Sequence, residues 1–140
     1  MANGRLMHGL LHPEFGHMRI PHDRDRDPFD GVCPYHGDCW EGLASGPAMA
    51  ERWQVDPAEI PDGHPAWELE AEYLALGILN IVLVVSPERF IVGGGVLEHP
   101  AMLGAARTRV VELLGGYLDT PLLRAEGIGS LLVPPVSTPP

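Results

Sequence analysis

The run Cys33-Pro-Tyr-His36-Gly-Asp-Cys39-Trp-Glu41, preceded by Glu14-Phe-Gly-His17, decides how this chain is read. It gathers two thiols, two imidazoles and two glutamate carboxylates into one short stretch. Cys33, His36 and Cys39 lie three residues apart on a turn containing Pro34 and Gly37, so one loop can wrap their side chains around a tetrahedral ion. Thiolate and imidazole together select zinc over hard, oxygen-seeking ions. The fourth ligand is expected from the preceding segment, with His17 favoured and His22 the alternative. Four protein ligands leave no open position for water, so such a zinc is structural. The competing reading is a small-loop disulfide between Cys33 and Cys39. No stretch resembling a secretory signal precedes them, and a cytosolic pair is normally reduced.

Working outward, the 140 residues are one domain's worth and hold enough apolar residues for a single core. The formal charge is −10, and all nine cations are arginines scattered along the chain. Phosphate neutralisation needs clustered cations, so a nucleic-acid footprint is not expected. The absence of Lys excludes Schiff-base chemistry and the phosphate-loop lysine. The longest apolar stretch, Leu74 to Val85, contains Asn80 and is too short to span a bilayer. The expectation is a soluble, cytoplasmic protein with no nucleic-acid or membrane partner.

The pattern predicts a weak strand within Gly4–Leu11 and a short extended piece at Met18-Arg-Ile20. The Asp/Arg alternation of His22–Asp30 reads as a solvated loop without ligands. Glu41–Arg52 reads as a helix that Pro47 bends or divides. Asp56-Pro-Ala-Glu59 carries an N-cap followed by Pro at the first helical position, so a short helix starts there and ends by Asp62-Gly63. From Pro65 to Val85 the apolar positions begin amphipathic and become apolar all round, as in a buried core helix. Phe90-Ile-Val92 is β-branched and stops at Gly93, Gly94 and Gly95; a helix from about Pro100 to Tyr117 follows. Strand, triple glycine and helix together suit close approach of backbone amides to a nucleotide, although glycine runs also serve tight turns. The chain closes with Ser130-Leu-Leu-Val133 and a Pro/Ser/Thr tail.

Glu14-x-Gly-His17, Gly31-Val-Cys-Pro-Tyr-His-Gly-Asp-Cys-Trp-Glu-Gly-Leu-Ala-Ser-Gly-Pro-Ala48 and Ile91-Val-Gly-Gly-Gly-Val96 together resemble the ROK sugar kinases, and within them the bacterial fructokinase branch. The resemblance spans nearly the whole chain. It implies an α/β fold, the C-terminal lobe of an actin-like (RNase H-like) ATPase, incomplete, with a zinc-binding loop subdomain. On this reading residues 1–140 are a single partial domain, 14–45 the zinc and sugar segment, and 90–117 the strand, glycine turn and helix on the nucleotide side. The resemblance implies zinc on His17, Cys33, His36 and Cys39; sugar hydroxyls on Glu14, His17 and Glu41; and an adenine nucleotide bordered by Gly93, Gly94 and Gly95. Independently, a zinc-bound His keeps a second nitrogen to act on a neighbour, and a carboxylate can grip vicinal hydroxyls through two oxygens.

The family's Asp-x-Gly-x-Thr phosphate turn and Asn-Asp pair, whose Asp is the general base, do not precede Glu14. Phosphoryl transfer rests on aligning phosphates, metal and base. No catalytic residue is therefore assigned, and the expectation is a fructokinase fragment, short at both ends, inactive alone, using ATP and Mg²⁺ only in the complete enzyme. Such a piece would be a marginal monomer, a homo-oligomer, or the partner of a separate N-terminal lobe. The rival reading is a non-catalytic zinc module that binds sugar or serves assembly. A ROK-type repressor is disfavoured by the acidity and by the lack of a basic helix-turn-helix.

Overall fold

The helix Pro65–Val85, here α3, organises the molecule. His64 caps it by accepting from the Ala66 amide, Pro65 supplies a pre-set φ at N1, and Glu68 complements the dipole in the first turn. It stops where Ser86 turns left-handed at φ 47° and Pro87 follows. The structure, a computed structural model, describes Met1 and residues 4–136. Among these there are five α-helices: α1 (Trp40–Leu43), α2 (Gly46–Trp53), α3, α4 (Met102–Leu114) and α5 (Ile128–Leu131). Two short strands, β1 (Phe90–Ile91) and β2 (Leu132–Val133), pair in parallel with Phe90 opposite Leu132 and Ile91 opposite Val133.

A parallel pair needs a crossover, and α4 provides most of it. Its buried residues Met102, Ala106, Val110 and Leu114 recur at every fourth position and lie against α3. Ala75, Ile78 and Val82 of α3 meet Val110, Leu114, Ile128, Leu131 and Leu132 in the main core. Full burial of side chains such as Ile78 and Val110 stabilises by about 1.5–3 kcal/mol each. α4 ends at Gly115, left-handed at φ 55°, so the expected helix to Tyr117 is shorter. Arg107 reaches from α4 to the Leu132 and Gly129 carbonyls and fastens the crossover to β2.

The predicted helix at Glu41–Arg52 divides into α1 and α2, because the Ser45 hydroxyl caps a new start at the Ala48 amide ahead of Pro47. Asp56 caps a single 3-10 turn, Pro57–Glu59. One expectation fails and another holds only in part. Residues 4–11 form no strand: Leu6, Leu10 and Leu11 are exposed, with no apolar face to hold an edge. His22–Asp30 is a solvated loop only in part: Asp23–Arg26, Pro28 and Asp30 are exposed, while two side chains turn inward. His22 and Asp27 are buried, and Asp27 accepts from Tyr73 Oη at 2.7 Å and Arg52 Nε at 3.2 Å. Arg52 also donates to the Leu43 carbonyl and lies over the Phe29 ring. This ion pair joins the loop, α2 and α3. The tail at 137–140 lies outside the described residues.

Candidate metal centre and ligand cleft

The metal-binding candidates converge from two segments. His17 ends a 3-10 turn, Phe15–His17; Cys33 and Gly37 form an isolated bridge, and Cys39 pairs with Arg19 in another. Trp40 N–H donates to the Met18 carbonyl and Arg19 to the His36 carbonyl, so the His17 segment is tied to the cysteine turn along its length. One ligand atom from each of His17, Cys33, His36 and Cys39 falls within 4.8 Å of every other. His17 Nδ1 lies 3.7 Å from both sulfurs, and Cys33 Sγ lies 3.7 Å from His36 Nδ1. In a tetrahedral zinc site the N···S edge spans about 3.5 Å, from Zn–S near 2.3 Å and Zn–N near 2.0 Å. The donor set and its spacing therefore fit a zinc ion.

Both cysteines are free and buried, their sulfurs grouped with the two imidazoles. Burial pushes the Cys33 thiol up, but the Tyr35 and His36 amides together with Cys39 and His36 outweigh it and bring it down to about 6. Burial dominates at Cys39, and the neighbouring Cys33 and Glu41 add to it, so that thiol is raised. His22 stands outside the group. Its Nδ1 faces Asp38 Oδ2 at 3.2 Å and its Nε2 the Asp27 carbonyl at 2.9 Å, so neither nitrogen is spare.

Asp38, between two ligands, is the residue the sequence reading missed. Burial opposes its charge, yet His22, Arg24 and Arg19 hold its carboxyl below the ordinary range. Arg19 approaches it at 2.6 Å and Arg24 at 2.8 Å. The signal was available: an acid inside a ligand loop, flanked by an Arg-rich segment, asks for partners. Trp40, next in sequence to Cys39, donates its indole N–H to the Tyr73 carbonyl at 2.9 Å and lies over Gly77, anchoring the loop to α3.

Beside the ligands, Glu41 Oε1 lies 3.7 Å from His17 Nδ1. Its other oxygen closes over Gly16, where a Cβ would meet it at 2.6 Å. Glu41 and Gly16 line a cleft of about 1070 Å³ together with Ser45–Pro47 at the start of α2 and with Gly93, Gly94 and Gly95. Gly94 has φ 117°, which an L side chain rarely adopts. The cleft thus brings Glu41 and the three glycines into one concavity. Glu14 lies apart from its lining, paired with His12 at the surface.

No described helix is long and apolar enough to cross a membrane. The ROK family model matches residues 1–129. A putative fructokinase of Bacillus subtilis (strain 168) is 41% identical over 135 residues, covering 96% of this chain and 44% of that protein. The fructokinase of Zymomonas mobilis is 42% identical over 125 residues, 85% of this chain and 40% of that protein. The fructokinase of Lactococcus lactis is 39% identical over 121 residues, 86% and 42%. The chain spans less than half the length of these curated relatives. With the matched region embracing both the ligand loop and the glycine turn, the chain belongs to the ROK family.

Proposed function

We propose that these residues form the zinc loop, part of the hexose site and the adenosine-side wall of an ATP-dependent fructokinase, within the C-terminal lobe of an actin-like ATPase fold. The whole reaction moves the γ-phosphoryl group of Mg-ATP to D-fructose. The observation that carries the reading is the single cleft running from Glu41, beside the four-ligand group, to Gly93–Gly95. Relatives named fructokinase across most of the chain support the sugar.

His17, Cys33, His36 and Cys39 would hold a structural zinc that stiffens the loop. His17 would present its remaining nitrogen, and Glu41 its carboxylate, to sugar hydroxyls, with Glu14 joining them by exchanging its His12 partner for the sugar. A carboxylate that accepts from two neighbouring hydroxyls orients the ring without entering the chemistry. Gly93, Gly94 and Gly95 would let the nucleotide approach the backbone closely. The phosphate turn and general base named by the resemblance are not among these 140 residues, so we assign them binding and orientation, not proton transfer.

The test has two arms. Elemental analysis should give zinc near one per chain, falling toward zero in Cys39→Ser and unchanged in His22→Ala; retention in Cys39→Ser would remove the metal assignment. Calorimetric titration with fructose should weaken about tenfold in Glu41→Gln, equivalent to one lost charged hydrogen bond, with zinc retained. Equal fructose affinity in both proteins would take Glu41 out of the sugar site. Fructose binding without nucleotide binding would favour the second reading, a zinc-containing sugar-binding or assembly module.

A further inference from the structure

Glu70 lies on α3 between Trp67 and Leu74 and lines the same cleft as the glycine turn. It is 1% exposed, and neither carboxyl oxygen has a hydrogen-bond partner. An ionised carboxylate so placed is strongly disfavoured unless something pairs with it. No salt bridge to it forms among the described residues, and Arg52 acts on it only at a distance. Of the charged residues in the structure, Glu98, Asp62, Asp56 and Glu41 share its cleft and are all acidic, and His99 there pairs with Asp62. Burial accordingly pushes the Glu70 carboxyl up to about 8, so at neutral pH it is mostly the neutral acid.

A neutral carboxyl offers one O–H donor and one carbonyl acceptor side by side. Both are unspent here. Phosphate would leave the carbonyl without a donor, whereas a purine base with an exocyclic amine presents an adjacent N–H donor and ring-nitrogen acceptor that satisfies both. The cleft suits a flat heteroaromatic ring, since Trp67, Leu74, Ile60 and Val96 are also in its lining.

We propose that Glu70 reads the amine-bearing edge of the purine base of the nucleotide held in this cleft. The inference rests on the nucleotide-side reading above. The oxygens are covered in this structure, so the side chain turns toward the base as the ligand enters, and the base supplies the partners that the free protein lacks.

The test is a ligand-by-residue cycle on the 140-residue chain. Dissociation constants are measured by calorimetry for ADP and for purine riboside diphosphate, which lacks only the exocyclic amine, in the wild type, Glu70→Gln and Glu70→Met. The wild type should favour ADP by about tenfold, the value of one buried hydrogen bond. Glu70→Gln, isosteric with the neutral acid, should keep that preference, and the equally long, apolar Glu70→Met should abolish it. A structural role alone would shift both ligands together and leave the ratio intact. An unchanged ratio in Glu70→Met, or a lost one in Glu70→Gln, overturns the assignment while leaving nucleotide binding in place. Binding of neither ligand by the wild type would overturn the nucleotide reading itself and this inference with it.

Discussion

Replacing Gly77 with Ala sets two effects against each other. In a helix interior this exchange ordinarily stabilises by about 1 kcal/mol through propensity alone. In α3, however, a Cβ at Gly77 would stand 2.0 Å from Trp40 Cε2 and 2.4 Å from its Nε1. Ordinary contact begins at 3.4 Å, so the indole must retreat by about 1.4 Å. It is not the free end of a flexible chain: its N–H is bonded to the Tyr73 carbonyl, and its ring packs against two core clusters. Overpacking costs about 1–3 kcal/mol, and loss of the indole bond adds about 1 kcal/mol. After subtracting the propensity gain, the variant should be less stable by about 2 kcal/mol, or about 6 °C in Tm for a chain of this size. Thermal melts followed by circular dichroism measure the shift, and Trp40 next to Cys39 makes zinc retention a second readout. A Tm at or above that of the wild type would refute the reasoning, because propensity would then have outweighed the packing.

Two further outcomes follow from the buried charges. Asp27→Asn leaves Arg52 buried without its counter-charge and disturbs the Tyr73 bond, so chemical denaturation should register a loss of about 3–5 kcal/mol; a change below 1 kcal/mol would mean the pair is dispensable. Glu70 has a folded value of about 8 against an ordinary 4.5, so the folded chain holds a proton that the unfolded chain releases. Its contribution is fully present below about pH 4.5 and lost as pH rises toward 8. Glu70→Gln cannot ionise, so its Tm advantage over the wild type should widen between pH 5 and 8 and then level off; a constant difference would rule out that titration.

What the sequence determined by itself was local. The limits of α3 were readable because His64, Pro65 and Ser86-Pro87 act on backbone within a turn of themselves. The three candidate loop ligands were readable because their spacing lets one turn gather them, and the sequence favours His17 over His22, as the geometry of the group does. The glycine turn announced itself as a break in a β-branched run. Tertiary structure decided whatever depends on partners distant in sequence. His22–Asp30 has the composition of a solvated loop, yet Asp27 is buried because Tyr73, 46 positions away, and Arg52, 25 away, reach it. Glu70 sits in a helical pattern that marks it as an ordinary polar position, and only its burial in the completed fold leaves both of its oxygens without partners. Glu41 meets the glycine turn across one cleft for the same reason. Hydrophobic periodicity and capping act over a few residues, whereas desolvation and ion pairing depend on whatever the completed fold packs against each group.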